Sequence, residues 1–174
     1  MSYPIASVDA TTFERCLPQL AELLVDGVHS GASISFIQPF SIIEATDFWQ
    51  NTVLPNVQLG ERLLFVALHN DNVIGTVQLI VHLPPNQAHR CEVSKLMVHT
   101  AYRGKGIARA LMHHLLQEAA ELDKSLVTLD TRSDDPSQSL YASLGFEVAG
   151  SIPRFAQDPD SDQLSATTYM YKFI

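Results

Sequence analysis

The sequence predicts an α/β fold: a mixed, mostly antiparallel central sheet of about seven strands, with helices on both faces, in one domain over residues 1–174. Three observations predict it. The elements read in the order β-α-α-β-β-β-α-β-α-β-β, hairpins first and crossover units after, which puts antiparallel and parallel pairs in one sheet. Of the 174 residues, 46% are hydrophobic and 17% charged, enough apolar material for a single core and not the composition of a disordered chain. No repeat, low-complexity tract or run of 18 apolar residues interrupts this pattern.

Each element has its own signal. Residues 3–8 read as a short strand. Thr11 or Thr12 then caps a helix whose Phe13, Leu17, Leu20, Leu24 and Val28 recur at intervals of three and four, and Gly31 stops it. A second helix spans 41–58, with Pro55 disturbing its end. The apolar runs 62–68 and 73–82 flank HNDN, a turn sequence, and so form a hairpin. Pro84-Pro85-Asn86 breaks the chain before the strand 90–99. From Gly104 a helix carries Ile107, Leu111, Leu115, Ala119 and Leu122 on one stripe. SLVTLD, residues 125–130, is a buried strand; 136–144 is a short helix closed by Gly145, whose missing Cβ suits a left-handed cap. A strand starts at 146–148, residues 153–166 read as a polar loop, and TTYMYKF closes the sheet.

The functional signal is RGKGIA, residues 103–108, between a strand and a helix. Formal net charge is -8, yet Arg103, Lys105 and Arg109, three of eleven Lys and Arg, converge here. Glycines admit a ligand close to the backbone, and a helix start offers unpaired N–H groups and partial positive charge. Together these suit the phosphates of a small anion. The acidic balance argues against nucleic acid or an anionic membrane as partner. The Walker pattern is absent. A dinucleotide fingerprint begins at Gly104-Lys105-Gly106 but meets Arg109 where its last glycine belongs; Asp130 stands where a ribose-binding acid would, so this alternative stays open.

Arg103-x-x-Gly106-x-Ala108 matches the Q/R-x-x-G-x-G/A pyrophosphate motif of the GNAT superfamily of N-acetyltransferases. VSKLMV, residues 93–98, resembles that family's fourth strand, and Tyr141 to Phe146 resembles the Y-x-x-x-G-F ending of its last helix. The predicted element order is also the family's. HSGASISF, EVSKLMV, TLDT and the tail from Pro153 are similar to the tabtoxin-resistance acetyltransferase group. The resemblance implies a GNAT-type sheet and acetyl-CoA as co-substrate, with direct transfer to a primary amine. It implies pyrophosphate contacts from the backbone of Gly104, Lys105, Gly106, Ile107 and Ala108, with charge from Arg103 and Lys105. Leu96, Met97 and Val98 would pair with the pantetheine arm and donate an N–H to the developing oxyanion. Asp134 departs from the family's frequent Asn seven residues before Tyr141, and places an anion near the cofactor.

An amine of pKa about 10.4 is neutral in only about one molecule per thousand at pH 7, so reaching the free base costs about 4–5 kcal/mol. A general base lowers that barrier. Glu92 and Asp130 stand at the ends of the two strands that part in this fold; either is a candidate base. Glu92 can instead pair with Arg90 or Lys95, and Asp130 can cap the turn 131–135. Tyr141 holds the family's position for protonating the leaving thiolate, or is a core aromatic. Ser30, Ser33 and Phe36 in the interhelix loop, and Arg154 for an acceptor carboxylate, complete the expected substrate contacts. The expected acceptor is a small, amino-acid-like amine, with a toxin or antibiotic in view. A protein or peptide amine, or a non-catalytic acyl-CoA sensor, is the alternative. Cys91 alternates with Glu92 and so faces away from it. The two cysteines read as free thiols and no histidine pair has ligand spacing, so no metal is expected. MSYPIASVDATTFERC lacks the features of a signal peptide, so the expected location is cytoplasmic, as monomer or homodimer.

Overall fold

Seven strands form one sheet in the computed structural model, which describes residues 3–174. They are β1 (Ile5–Ser7), β2 (Arg62–His69), β3 (Asn72–Ile80), β4 (Arg90–Val98), β5 (Leu126–Arg132), β6 (Glu147–Gln157) and β7 (Leu164–Phe173). Their spatial order is β1-β2-β3-β4-β5-β7-β6, and every neighbouring pair is antiparallel except β4–β5. Helices α1 (Ala10–His29), α2 (Ile42–Asp47) and α3 (Leu54–Gln58) cover one face, through a core that includes Phe13, Leu20, Trp49 and Met97. Helices α4 (Ile107–Glu121) and α5 (Pro136–Ser143) cover the other, over Phe65, Val77, Cys91 and Leu129. The mixed sheet with helices on both faces is the fold class the sequence predicts.

The apolar stripes work as expected. Phe13, Leu17, Leu20, Leu24 and Val28 of α1 are all buried. So are Ile107, Leu111, Leu115 and Ala119 of α4; Leu122 lies one residue past the helix and is 46% exposed. The cap of α1 is Asp9, not either threonine. Its carboxylate accepts from the amides of Thr11 and Thr12, while the Thr12 hydroxyl accepts from the Asp9 amide, and a carboxylate at this end also complements the helix dipole. The second helical stretch runs from Ser41, its N-cap, to Gln58, but a π-helical turn, Phe48–Val53, separates α2 from α3. Pro55 explains it. The ring excludes the carbonyl four residues back and supplies no N–H, so the preceding turn widens and Leu54 N–H reaches Trp49 O instead. Trp49 is fully buried, with its indole N–H donating to Leu20 O at 3.0 Å.

The one large departure is β6. Residues 153–157 belong to this strand, and the polar loop shrinks to residues 158–163. Nearly all of β6 is exposed, so it shows no alternation of apolar and polar residues, and Pro153 is tolerated because the strand is an edge. The loop tip then bonds back to the α1–α2 connection, Gln38 N–H donating to Pro159 O at 2.7 Å.

Gly75 on β3 packs tightly against β4 and α4. A Cβ there would stand 3.0 Å from Met97 O, 3.2 Å from Ile107 Cγ2 and 3.2 Å from Leu111 Cδ1. Gly75→Ala is expected to destabilise by about 1–3 kcal/mol through overpacking against backbone. Thermal unfolding checks this; an unchanged Tm would mean that β4 and α4 yield freely.

Candidate functional site

β4 and β5 pair only over Arg90–Glu92 and Leu126–Thr128. Beyond that the pairing stops, and two adjoining cavities occupy the split. The first, about 360 Å³, lies between the Ala32–Ser35 loop and the parted strands, and is lined by Glu92, Lys95, Asp130 and Tyr141 among others. The second, about 580 Å³, runs past Leu96, Met97 and Val98 to Arg103, Gly104, Gly106 and Ala108. They share Ala32, Leu96, Arg132, Asp135 and Ser137, so the two are direct neighbours.

The larger cleft is built to hold an anion. Gly104 and Gly106 have φ of +74° and +79°, the left-handed region where a Cβ is penalised. Gly106 caps α4 without a side-chain bond, and among the described residues no backbone carbonyl accepts from the amides of residues 104–108. A Cβ on either glycine would meet nothing within 4 Å, so the loop is open at both positions. The local cations are positioned but not neutralised. Arg103 donates to Val98 O and to Ser30 Oγ, at 3.1 and 2.7 Å, and Arg109 to Ser143 Oγ at 2.8 Å. Lys105 donates to Ala101 O and lies 4.8 Å from the Tyr102 ring centre. None of the three has a carboxylate within 4.0 Å among the described residues. The loop's position is set from α1: Asp26 accepts from both the amide and the hydroxyl of Thr100, just before the loop. The donor set fits the pyrophosphate of a coenzyme A group. The unpaired β4 edge beyond Glu92 fits its amide-bearing arm, since an extended amide chain pairs with a free strand edge as a strand would.

In the smaller cavity, Glu92 accepts from Arg90 Nη1 at 3.4 Å and Asp130 accepts from the Thr167 hydroxyl at 2.9 Å. Asp130 is engaged by Thr167 rather than by the following turn, and Asp135 is the N-cap of α5. Tyr141 is buried on α5, beside Phe146. Burial above all, then the Asp135 and Asp130 carboxylates, pushes its phenol well above the ordinary value, so it stays protonated through the neutral range.

The structure thus brings Glu92, Asp130, Tyr141 and Ser33 to one cavity, and Arg103, Gly104, Gly106, Ala108 and Met97 to the other, with Leu96 in both. Ser30 belongs to the anion cleft, not to the smaller cavity. Lys105 and Ile107 do not line the cleft; the Ile107 side chain is in the core. Asp134 lines neither cavity, whereas its neighbour Asp135 lines both. Phe36 packs on Phe40 and Phe48. Arg154 is exposed on β6 and lines neither cavity. Cys91 is buried in the core on the α4 side, away from Glu92, and both cysteines are free. Lys95 and Arg132 were not foreseen as site residues. Arg132 lies between Asp135 and Asp158, at 3.4 Å from each. Among the described residues no cluster of three or more potential metal ligands occurs, and no helix is long and apolar enough to cross a membrane.

A parted β4–β5 pair with an amide-lined helix start beneath it defines an acetyltransferase-type site. The chain belongs to the acetyltransferase (GNAT) family, whose model matches residues 28–146. N-acetyltransferase 8B of Rattus norvegicus is 31% identical over 147 residues, 75% of this chain and 66% of that protein. Its Homo sapiens counterpart is 40% identical over 88 residues, 49% of this chain and 39% of that one, so the chain spans only part of these relatives' length. The fold also matches an acetyltransferase of Salmonella typhimurium solved with its cofactor acetyl-CoA, at TM-score 0.77 and 21% identity over 99% of this chain and 94% of that one.

Proposed function

We propose that the protein transfers an acetyl group from acetyl-CoA directly to the primary amine of a small, amino-acid-like molecule. The observation that carries this reading is the junction of an anion cleft with a carboxylate-bearing cavity at the β4–β5 split. Acetyl-CoA, when bound, supplies the acetyl group as a reactive thioester. Amides of Gly104, Gly106 and Ala108, with Arg103, hold the pyrophosphate. The free edge of β4 at Leu96–Val98 aligns the arm and aims an N–H at the thioester carbonyl. Glu92 or Asp130 attracts the ammonium and takes its proton. Tyr141, kept protonated by burial, donates to the departing thiolate. A cavity of about 360 Å³ behind the 32–35 loop supports a small acceptor over a protein tail. The likeness of the interhelix loop and tail to tabtoxin-resistance enzymes supports a toxin or antibiotic amine.

The test is a panel of small amines and lysine-rich peptides, read by release of free thiol. Turnover of the small amines above that of the peptides supports the reading. Faster turnover on peptides overturns the acceptor class, and acetyl-CoA binding without turnover on any amine supports a sensor instead. Lys105→Ala is expected to weaken acetyl-CoA binding by less than about tenfold at low salt, and by less still at 1 M salt, where the screening length is about 3 Å. Its ammonium lies over Tyr102, outside the cleft, and acts only at a distance. Titration calorimetry at both salts checks this; a larger loss would make Lys105 a direct ligand.

A further inference from the structure

Lys95 is the unexplained residue of the smaller cavity. It occupies a bulge in β4: Met97 pairs with Thr76 and Ser94 with Gln78, so Lys95 and Leu96 together oppose the single residue Val77. Its φ is +52°, a strained conformation for a lysine. The bulge brings its side chain to the cavity wall. There Nζ donates to Ser35 Oγ at 3.0 Å and lies 5.9 and 5.8 Å from the ring centres of Phe36 and Phe48. Ser35 is itself left-handed, at φ +80°. Two strained residues, from a strand and from a loop, therefore meet across the cavity, and strain of this kind persists only where the surroundings hold it.

The cation held there has no acid. Among the described residues no carboxylate lies within 4.0 Å of Nζ, whereas the cavity's other cation, Arg132, has two. Burial depresses the Lys95 ammonium to a pKa of about 8, with Arg62 adding to the shift and Asp130 opposing it. A half-buried ammonium without a partner is costly, and an anion delivered by a ligand offsets that cost. With one N–H on Ser35, Nζ keeps two for a ligand, and the Ser35 hydroxyl proton is free to donate as well. A few donors and one positive charge match a carboxylate.

We propose that Lys95 and Ser35 form a subsite for a carboxylate of the acceptor, in the same cavity as the Glu92 and Asp130 carboxylates that receive its ammonium. This rests on reading the cavity as the acceptor site. It narrows the substrate class to amines that carry a carboxylate, and it assigns to Lys95 the contact that Arg154, outside the cavity, does not make.

Two measurements test it. In the first, amino acids and their matching amides are compared as acceptors for the wild type and Lys95→Met. The wild type should prefer the acids by about 10- to 100-fold in kcat/KM, the scale of a charge-assisted hydrogen bond, with the difference mainly in KM. Lys95→Met should lose that preference, so that its acids and amides differ by less than about threefold. A latch that merely pins the loop would change both acceptors alike, and that result overturns the subsite. The second needs no turnover and no variant beyond one for assignment. The chain has four lysines, so their Cε signals resolve in a 13C-lysine-labelled sample. N-acetylalanine should shift the Lys95 signal selectively, and N-acetylalanine amide should not. No selective shift overturns the proposal. A selective shift in a protein that acetylates no small amine keeps the subsite and removes the acceptor reading. Acetylation with no preference for acids removes the subsite and keeps that reading.

Discussion

Gly106→Val is expected to raise the Kd for acetyl-CoA at least about 100-fold while the protein remains folded. At φ +79° a side chain costs about 1–2 kcal/mol, and a β-branched one more. The added Cβ itself meets open space, so the loss does not come from a clash with the core. It comes from the backbone. Valine drives residue 106 out of the left-handed region, and the amides of residues 104–108 turn with it. Several donors that converge on one pyrophosphate then fail together, which is why one substitution outweighs removal of any single cation. The strain should lower Tm by only about 3–8 °C, given about 2–4 °C per kcal/mol for a chain of this size. Gly150→Val is the control: that glycine lies on exposed β6, has no positive φ and also faces open space, so acetyl-CoA affinity should not change. Normal affinity in a folded Gly106→Val protein would take the loop out of the site.

How much of this was legible in the sequence depends on how local each cause is. The α1 stripe, the Asn70-Asp71 hairpin turn with both φ positive, and Gly145 at φ +85° after α5 each follow from neighbours within a few residues. The anion loop is legible for the same reason, since its glycines, cations and helix start are contiguous. The proposed acceptor side is assembled from distant pieces. Ser35 and Lys95 are 60 residues apart, and neither carries a glycine to announce its positive φ. The strand β6 hides because an exposed edge needs no alternation, and that concealed where Arg154 lies. Asp134 and Asp135 show the limit of transferring a motif by spacing alone. The left-handed φ of Asp134 leaves it exposed off the cavity and turns its neighbour in.

At least one of Glu92→Gln and Asp130→Asn is expected to lower kcat by about 100-fold or more, with acetyl-CoA affinity nearly unchanged. Both substitutions keep size and remove basicity, and about 10²–10⁴ is the usual scale of general base catalysis. The two should not be equal. Glu92 already accepts from the Arg90 guanidinium, at 3.4 Å, so a carboxylate oxygen is engaged before any amine arrives. Asp130 accepts from the neutral Thr167 hydroxyl and lines the proposed acceptor cavity, with no cation within 4.0 Å among the described residues. The larger loss is therefore expected for Asp130→Asn. Tyr141→Phe should lower kcat on a similar scale with KM for the amine retained, because the missing proton matters only as the thiolate departs. Its raised phenol pKa also fixes the pH profile. The hydroxyl is a competent donor below its own pKa, which lies above the ordinary value of about 10. Wild-type kcat should then rise as the base deprotonates and show no descending limb below about pH 10. A fall near pH 8 would point to Lys95 rather than Tyr141 as the acid. Wild-type kcat in all three variants would remove all three residues from the chemistry, and leave orientation of the two substrates by the β4 edge and the anion loop as the source of rate.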